Sequence, residues 1–269
     1  MRFAVITNKD RDCDLSVTEK IVSYLSSLGA ECAVCSSPEN LSRIIHDCKA
    51  VVTVGGDGTI LGIAQISAEH DCPVVGVNKG SLGYLAELEP DEIKTLSRLV
   101  SGDFYTENRM MLKASLQARD GLFELYALND IVLTHDSVLK LTEFDLSCDG
   151  FGIAHYRADG LIFSTPTGST AYSLSAGGPV VDPTLRSILV TPICAHTLTA
   201  RPVLFNDEAV LSVCGSSRDG GPIRLYADGG EGISLADKTK VTISRSPFSL
   251  KIIRFGSNSF YNILSNKIH

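Results

Sequence analysis

At 269 residues the chain can fold as one large domain or two moderate ones, each with its own core. Its 44% hydrophobic and 20% charged residues are ordinary for a globular protein, and a net charge of −7 with acidic and basic residues interspersed argues against a broad nucleic-acid footprint. Eight cysteines in a chain of this size, opening on the short apolar run Met1-Arg2-Phe3-Ala4-Val5-Ile6-Thr7-Asn8, read as reduced thiols in a cytoplasmic protein without a signal peptide.

In chain order, 3–7 reads as a first strand. Ser16-Val17-Thr18-Glu19 forms a capping box for a helix with Val17, Ile21, Leu25 and Leu28 on its apolar face, stopped at Gly29. A second strand over 31–35 carries Cys32 and Cys35, a C-x-x-C with no second pair to complete a zinc site, and is expected to be buried. Ser37-Pro38 opens a short helix with Leu41, Ile44 and Ile45 on one face. Strands over 50–54 and 74–77 and a helix over 90–100 follow, and the alternation predicts a parallel sheet with helices on both faces.

Beyond about residue 107 the pattern turns short and partly alternating, over 123–128, 131–134, 141–148, 151–157, 188–193, 209–213, 223–227 and 240–244. Cys148-Asp149-Gly150-Phe151 is a two-residue hairpin signal. The expected fold class is therefore α/β plus all-β. A Rossmann-like parallel-sheet domain spans 1–107 and a β-sandwich-like domain spans 108–249, while 250–269 is able to return to the first domain. The uncharged run 160–181 holds four glycines and two prolines, so it reads as loop and helix start, not as a membrane span.

Two stretches carry chemistry. The first is Val51-Val52-Thr53-Val54-Gly55-Gly56-Asp57-Gly58-Thr59, followed by Ile60, Leu61, Ile63, Ala64 and Ile66: strand, tight turn, helix. Glycines let an anion approach the backbone, and the first N–H groups of the helix have no partner inside it. Asp57 would repel a phosphate there, which points to metal binding or to accepting a proton from an attacking hydroxyl. A plain turn uses the same residue types. The spacing matches neither G-x-G-x-x-G nor a P-loop. The second stretch runs from Arg157-Ala158-Asp159-Gly160 through the apolar 161–163 into a hydroxyl-rich loop and a small-residue helix start ending near Pro179. Such a loop offers many donors to sugar hydroxyls or phosphates, and a Ser/Thr loop capped onto a helix is its structural counterpart.

Together these residues resemble the bacterial-type NAD kinases, the ATP/polyphosphate-dependent NAD kinase family. Gly55-Gly56-Asp57-Gly58-Thr59 matches that family's phosphate motif and Asn78-Lys79-Gly80-Ser81-Leu82-Gly83-Tyr84-Leu85 the loop after it. Asn129-Asp130 matches its Asn-acid pair and 159–179 its longest motif, and the similarity extends over essentially the whole chain. The resemblance implies transfer of the γ-phosphate of ATP, or of polyphosphate, to the 2′-hydroxyl of the adenosine ribose of NAD. A divalent ion, Mg²⁺, would arrive with the nucleotide.

By position, the resemblance implies Asp57 as proton acceptor and Gly55, Gly56, Gly58 and Thr59 as phosphate-holding backbone. It also implies Asn129 and Asp130 at the NAD adenine and ribose hydroxyls. Lys140, Arg157, Asp159, Thr170, Ala171, Tyr172, Ser173, Leu174 and Ser175 would line the dinucleotide site, with Tyr172 stacked on a base or serving as plain core. Three positions depart from the family pattern: Asp130 replaces Glu, Gly230 replaces Gln, and Ala195 replaces Pro. The histidines, His196 included, read as structural. The partners expected are NAD and ATP, no nucleic acid and no membrane, with a homo-oligomer, dimer or tetramer, as the assembly. Two other functions stay open at this level: a diacylglycerol-type lipid kinase, which shares the Asp57 turn, and a non-catalytic NAD/NADP sensor.

Overall fold

In the computed structural model, which describes residues 1–80, 83–118, 121–135, 142–197, 199–217, 221–256 and 260–268, the chain opens with four parallel strands. These are β1 (Arg2–Thr7), β2 (Glu31–Cys35), β3 (Ala50–Gly55) and β4 (Val74–Asn78), in the spatial order β2-β1-β3-β4. β1, β3 and β4 are almost continuous apolar runs because both of their faces are covered. β2 lies at the edge, so Cys35 is buried but Cys32 is only half-buried and Val34 is exposed, a departure from the buried strand expected there.

Between the strands lie α1 (Ser16–Ser27), α2 (Pro38–Ile44) and α3 (Asp57–Glu69). Val17, Ile21 and Leu25 of α1 pack with Phe3, Val5, Val52, Val54, Val75 and Val77, alternate residues of the strands and therefore one face of the sheet. On the other face Gly76 leaves room for α3: a Cβ there would lie 2.9 Å from Ile60 Cδ1 and from Ala86 Cα. α1 ends as expected at Gly29, whose φ of +82° suits glycine, with Ala30 N–H donating to Leu25 O and Gly29 N–H to Ser26 O. Leu28, expected on the apolar face, is 40% exposed.

The start of α1 differs from expectation. No Ser16–Glu19 box forms; the buried Asp12 carboxylate accepts the Val17 and Thr18 N–H groups at 3.3 and 3.0 Å instead. The helix expected over 90–100 resolves into a 3₁₀ turn, Ile93–Leu96, running into the short α4 (Ser97–Ser101), which Gly102 closes at φ +76°.

The remaining strands, apart from the end of β16, are antiparallel: β5 (Tyr105–Ala118), β6 (Gly121–Ala127), β7 (Asp130–His135), β8 (Thr142–Cys148), β9 (Phe151–Ala158), β10 (Gly160–Ser164), β11 (Ser187–Ile193), β12 (Val203–Asn206), β13 (Leu211–Ser217), β14 (Ile223–Ala227), β15 (Ile233–Leu235) and β16 (Lys240–Arg254). A one-turn helix, α5 (Tyr172–Ser175), follows β10. One sheet has the order β12-β11-β10-β7-β14-β15. In a second, β16, β13, β8 and β9 are neighbours in that order and β5 pairs with β6. Ile131, Leu133, Leu161, Phe163, Ile188 and Val190 from the first share a core with Phe144, Leu146, Leu211 and Val213 from the second, the face-to-face arrangement of a sandwich. The β8–β9 hairpin turns at Asp149 and Gly150, both left-handed at φ +50° and +84°, as an Asp-Gly type I′ turn requires.

Two compact units result, 1–109 with 248–269 and 110–247. In the first unit the end of β16 joins the parallel sheet, Ile252 pairing with Val74, and Ile253 and Phe255 enter the α1 core. Arg254, buried, donates to Glu87 and to Glu107 at 3.1 Å each, and Phe255 N–H donates to Glu87 at 2.8 Å. These charge-assisted bonds anchor the returning segment, which ends in α6 (Phe260–Ile268). No helix among the described residues is long and apolar enough to cross a membrane.

Candidate functional site

The glycine turn sits at the carboxyl end of β3, where open parallel sheets bind ligands. Gly55 has φ +154°, and a Cβ on it would overlap the Thr59 hydroxyl, so glycine is required there on both counts. Asp57 is the first residue of α3 and carries its charge at the positive end of the helix dipole. Its carboxylate accepts backbone N–H bonds from Tyr84 at 2.7 Å, Leu85 at 3.1 Å and Ala86 at 3.4 Å. Gly83 permits this approach, since a Cβ there would overlap the carboxylate. Three of roughly four lone-pair sites on the carboxylate are thereby used, and its direction is set.

Asp57 opens onto a cavity of about 230 Å³ that Gly56, Gly58 and Asn78 also line, together with three cations, Arg11, Lys79 and Lys267. Lys79 donates to Asp12 at 2.6 Å and reaches Asp14 at 3.4 Å. Burial opposes ionisation of Asp12, yet the bonds from Lys79, from the Thr18 hydroxyl and from the Thr18 and Val17 N–H groups hold its carboxyl well below the usual range. The Lys79 charge is thus largely balanced, whereas neither Arg11 nor Lys267 is salt-bridged to a carboxylate among the described residues.

Asn78 is 1% exposed; its Nδ2 donates to Gly80 O and Glu89 Oε1, and its Oδ1 has no partner. No group of three or more His, Cys, Asp or Glu among the described residues is placed to hold a metal alone. Asp57 and the orphaned Asn78 oxygen instead suit a hard cation that brings phosphate and water ligands with it. A second cavity of about 300 Å³ lies at the ends of β1 and β3, where the strand order reverses, lined by Asn8, Lys9, Asp10, Ser36 and Thr59 among others. The buried hydroxyls of Thr7 and Thr59, which line it, lack partners.

The other predicted residues lie in the second unit. Asp228 organises them: at a left-handed turn with Gly229, φ +49° and +70°, it turns its carboxylate to accept the N–H groups of Leu128 at 2.7 Å, Asn129 at 2.7 Å and Asp130 at 3.1 Å. Asn129 O in turn accepts from Thr165 N–H at 2.9 Å, and Gly168 packs so closely on Asn129 that a Cβ there would overlap its carbonyl. Burial and then the Asp228 charge push the Asp130 carboxyl up to about 7. Burial raises Asp228 as well, but its three N–H donors pull the other way.

Tyr172, on α5, is exposed; burial of its hydroxyl and the nearby charges of Cys194, Asp130 and Asp159 raise its value. Asp159 is half-exposed with His196 Nε2 3.9 Å away, and Arg157 stands 3.9 Å from Glu143. Thr170 and Ala171 are half-buried, and Leu174 and Ser175 are exposed beside Tyr172. Ser173 turns inward instead, its hydroxyl 2.8 Å from that of Thr191 with both residues wholly buried, a bond that ties α5 to β11. Lys140 lies outside the described residues.

The roles of four residues of these sites escaped the sequence, Asp228 among them, which reads there only as a hairpin residue. Arg11 and Lys267 sit in a loop and in the last helix, without any motif of their own. Asp12 is hidden behind a better-looking capping box. Asp228 shows an Asp-Gly turn signal and does form a left-handed turn, closed by Gly230 N–H donating to Ala227 O inside the longer β14–β15 connection, while its carboxylate serves residues 98 to 100 positions earlier.

Comparison with known proteins gives a consistent picture. The family model for the ATP-NAD kinase N-terminal domain matches residues 29–104, and that for the ATP-NAD kinase C-terminal domain matches 128–255. The chain is 37% identical over 273 residues to an NAD kinase of Clostridium botulinum, covering 97% of this chain and 94% of the relative. It is 38% identical to an NAD kinase of Heliobacterium modesticaldum, with 98% and 97% covered. Among solved structures, an NAD kinase from Archaeoglobus fulgidus in complex with ATP superposes with a TM-score of 0.83 at 28% identity, covering 100% of this chain and 98% of that one. A yeast NADH kinase complexed with NADH shares the fold, with a TM-score of 0.86 at 24% identity and coverage of 100% and 87%.

Proposed function

This chain belongs to the NAD kinase family and carries its phosphotransferase activity, and from that premise we propose that it moves the γ-phosphate of ATP to the 2′-hydroxyl of the adenosine ribose of NAD, with Asp57 as the proton acceptor. The observation that carries the reading is Asp57 itself: a carboxylate held by three backbone N–H groups in a cavity otherwise furnished with cations and a helix start. A site that only bound phosphate would be better without it. Family membership removes the lipid-kinase and silent-sensor alternatives.

Phosphoryl transfer through a loose transition state asks the protein for alignment and charge neutralisation more than for covalent chemistry. The N–H groups of the Gly55–Thr59 turn and the Arg11 guanidinium receive the donor phosphates. ATP as donor is supported by the related archaeal structure. The cavity at the reversal of strand order takes the donor nucleoside, and a polyphosphate donor would use the phosphate cavity alone. A bound Mg²⁺, near Asp57 and Asn78 Oδ1, would screen the charge on the phosphates. The remaining lone-pair site of Asp57 accepts the hydroxyl proton as the ribose oxygen attacks.

Asn129, Asp130, Arg157, Asp159, Thr170, Ala171, Tyr172, Leu174 and Ser175 hold the dinucleotide, Asp130 accepting from ribose hydroxyls and the exposed Tyr172 ring offering a stacking face. Lys140 is assigned to the same site by its motif position, and Ser173 supports it from behind. Eight free cysteines support a reducing, cytoplasmic setting, and exposed apolar side chains on β9 support a homo-oligomer. The test is NADP formation from NAD, ATP and Mg²⁺. Asp57→Asn, isosteric but unable to take the proton, should lower kcat by roughly 10²- to 10⁴-fold. A folded mutant with near wild-type turnover would overturn the role.

A further inference from the structure

α6 lies more than 180 residues beyond the glycine turn, and no motif reading touches it, yet it ends at the phosphate cavity. Phe260 and Lys267 are seven positions apart and so share one side of the helix. That side grips Tyr84: the Phe260 ring centroid is 5.9 Å from that of Tyr84, and Lys267 Nζ stands 4.4 Å from the centre of the Tyr84 ring. Tyr84 is also the residue whose N–H makes the shortest bond to Asp57, at 2.7 Å. Lys267 therefore lines the cavity of the proton acceptor while resting on the side chain of the loop that orients it.

We propose that Lys267 is a donor-phosphate-binding residue of this enzyme, its ammonium leaving the Tyr84 ring for the terminal phosphate of the donor. The inference rests on the kinase reading above and extends it to a specific group. Of the three cations at the cavity, Lys79 is committed to Asp12 and Asp14, so Arg11 and Lys267 supply the uncompensated charge. An aromatic face is a weak partner for an exposed ammonium, and a phosphate oxygen is a stronger one. Offsetting the dipole at the end of α6 would explain a lysine in the last turn, but any solvent-facing position there would serve that purpose. Asn78, which lines the same cavity, keeps a buried Oδ1 with no hydrogen-bond partner, an unsatisfied acceptor that independently supports a ligand here, a donor phosphate chain with its cation.

The test uses the full chain with Lys267→Ala, Lys267→Arg and the wild type. It measures KM for ATP and for NAD, the Kd for ATP by calorimetry without NAD, and thermal midpoints. Alanine keeps the helix, so folding should survive. Losing one charge-assisted bond should raise KM and Kd for ATP by about tenfold while KM for NAD stays within about twofold, and arginine should restore most of the loss. An unchanged ATP affinity in a folded Lys267→Ala protein overturns the proposal. So does a parallel rise in both KM values with a lowered melting point that arginine does not rescue, which would mean a structural role for α6. Failure of the kinase reading itself would appear separately, as no NADP from the wild type, and the calorimetric arm would still report on Lys267.

Discussion

Asp130 and Asp228 meet from two distant segments but carry unequal burdens. Asp228 receives three backbone N–H bonds that oppose the upward push of burial; Asp130, beside it, is pushed up to about 7 by burial and by the Asp228 carboxylate. Its native value lies above its ordinary value near 4, so its contribution to stability is complete below about pH 4 and is lost as the pH rises through about 7. Binding should run the other way, because only the ionised group accepts from two ribose hydroxyls. KM for NAD should fall as the pH is raised from about 6 to about 8, and Asp130→Asn should flatten the profile; initial rates at saturating ATP measure both. A flat wild-type profile would remove Asp130 from ribose recognition. The acid was legible in the sequence through its Asn-acid motif. Its pKa was not, since Asp228 stands 98 positions away and reaches it only through the fold.

At the scale of elements, the start of α1 and the turn at 128–130 illustrate two ways in which a local reading stops short. Ser16 and Glu19 have the right spacing for a cap, but a buried Asp12 already tied to Lys79 fills the helix start, and the Ser16 hydroxyl donates to Asp14 instead. Asp12→Ala should cost about 1 kcal/mol through the lost cap, read as a shifted denaturation midpoint, whereas Ser16→Ala should be nearly silent. Gly168 is the second case. With backbone at the point of overlap, nothing flexible can yield to a Cβ, so Gly168→Ala should displace the Asn129–Asp130 turn. NAD should then bind at least about tenfold more weakly while KM for ATP changes little, which steady-state kinetics with each substrate varied will show. Strands β1, β3 and β4 were plain from their unbroken apolar runs. β5 was not, because Glu107, Asn108, Arg109 and Lys113 interrupt its alternation and the chain reads as polar until its partners are known.

At the scale of the whole molecule, β9 presents an exposed apolar face along the edge of its sheet, with Phe151 75% exposed and Ile153 47% exposed where a bulge opposite Leu146 and Ser147 interrupts the alternation. If that face carries the self-association proposed above, Phe151→Glu should reduce the assembly to monomers by light scattering coupled to size exclusion, and a mutant of unchanged mass would place the interface elsewhere. The amino-acid sequence by itself determined the class of the two halves, the glycine turn with its carboxylate, and the dinucleotide motif. Each of these is written in contiguous residues whose backbone geometry and side-chain period are local properties. Only the tertiary structure decided which groups surround Asp57. The N–H groups of 84–86, the balancing of Lys79 by Asp12 and the arrival of Lys267 on the last helix all depend on parallel strands bringing distant loops to one end of a sheet. Hydrophobic periodicity specifies that the sheet forms, but polar groups that meet at its rim carry no period, and their partners are named only by the packing.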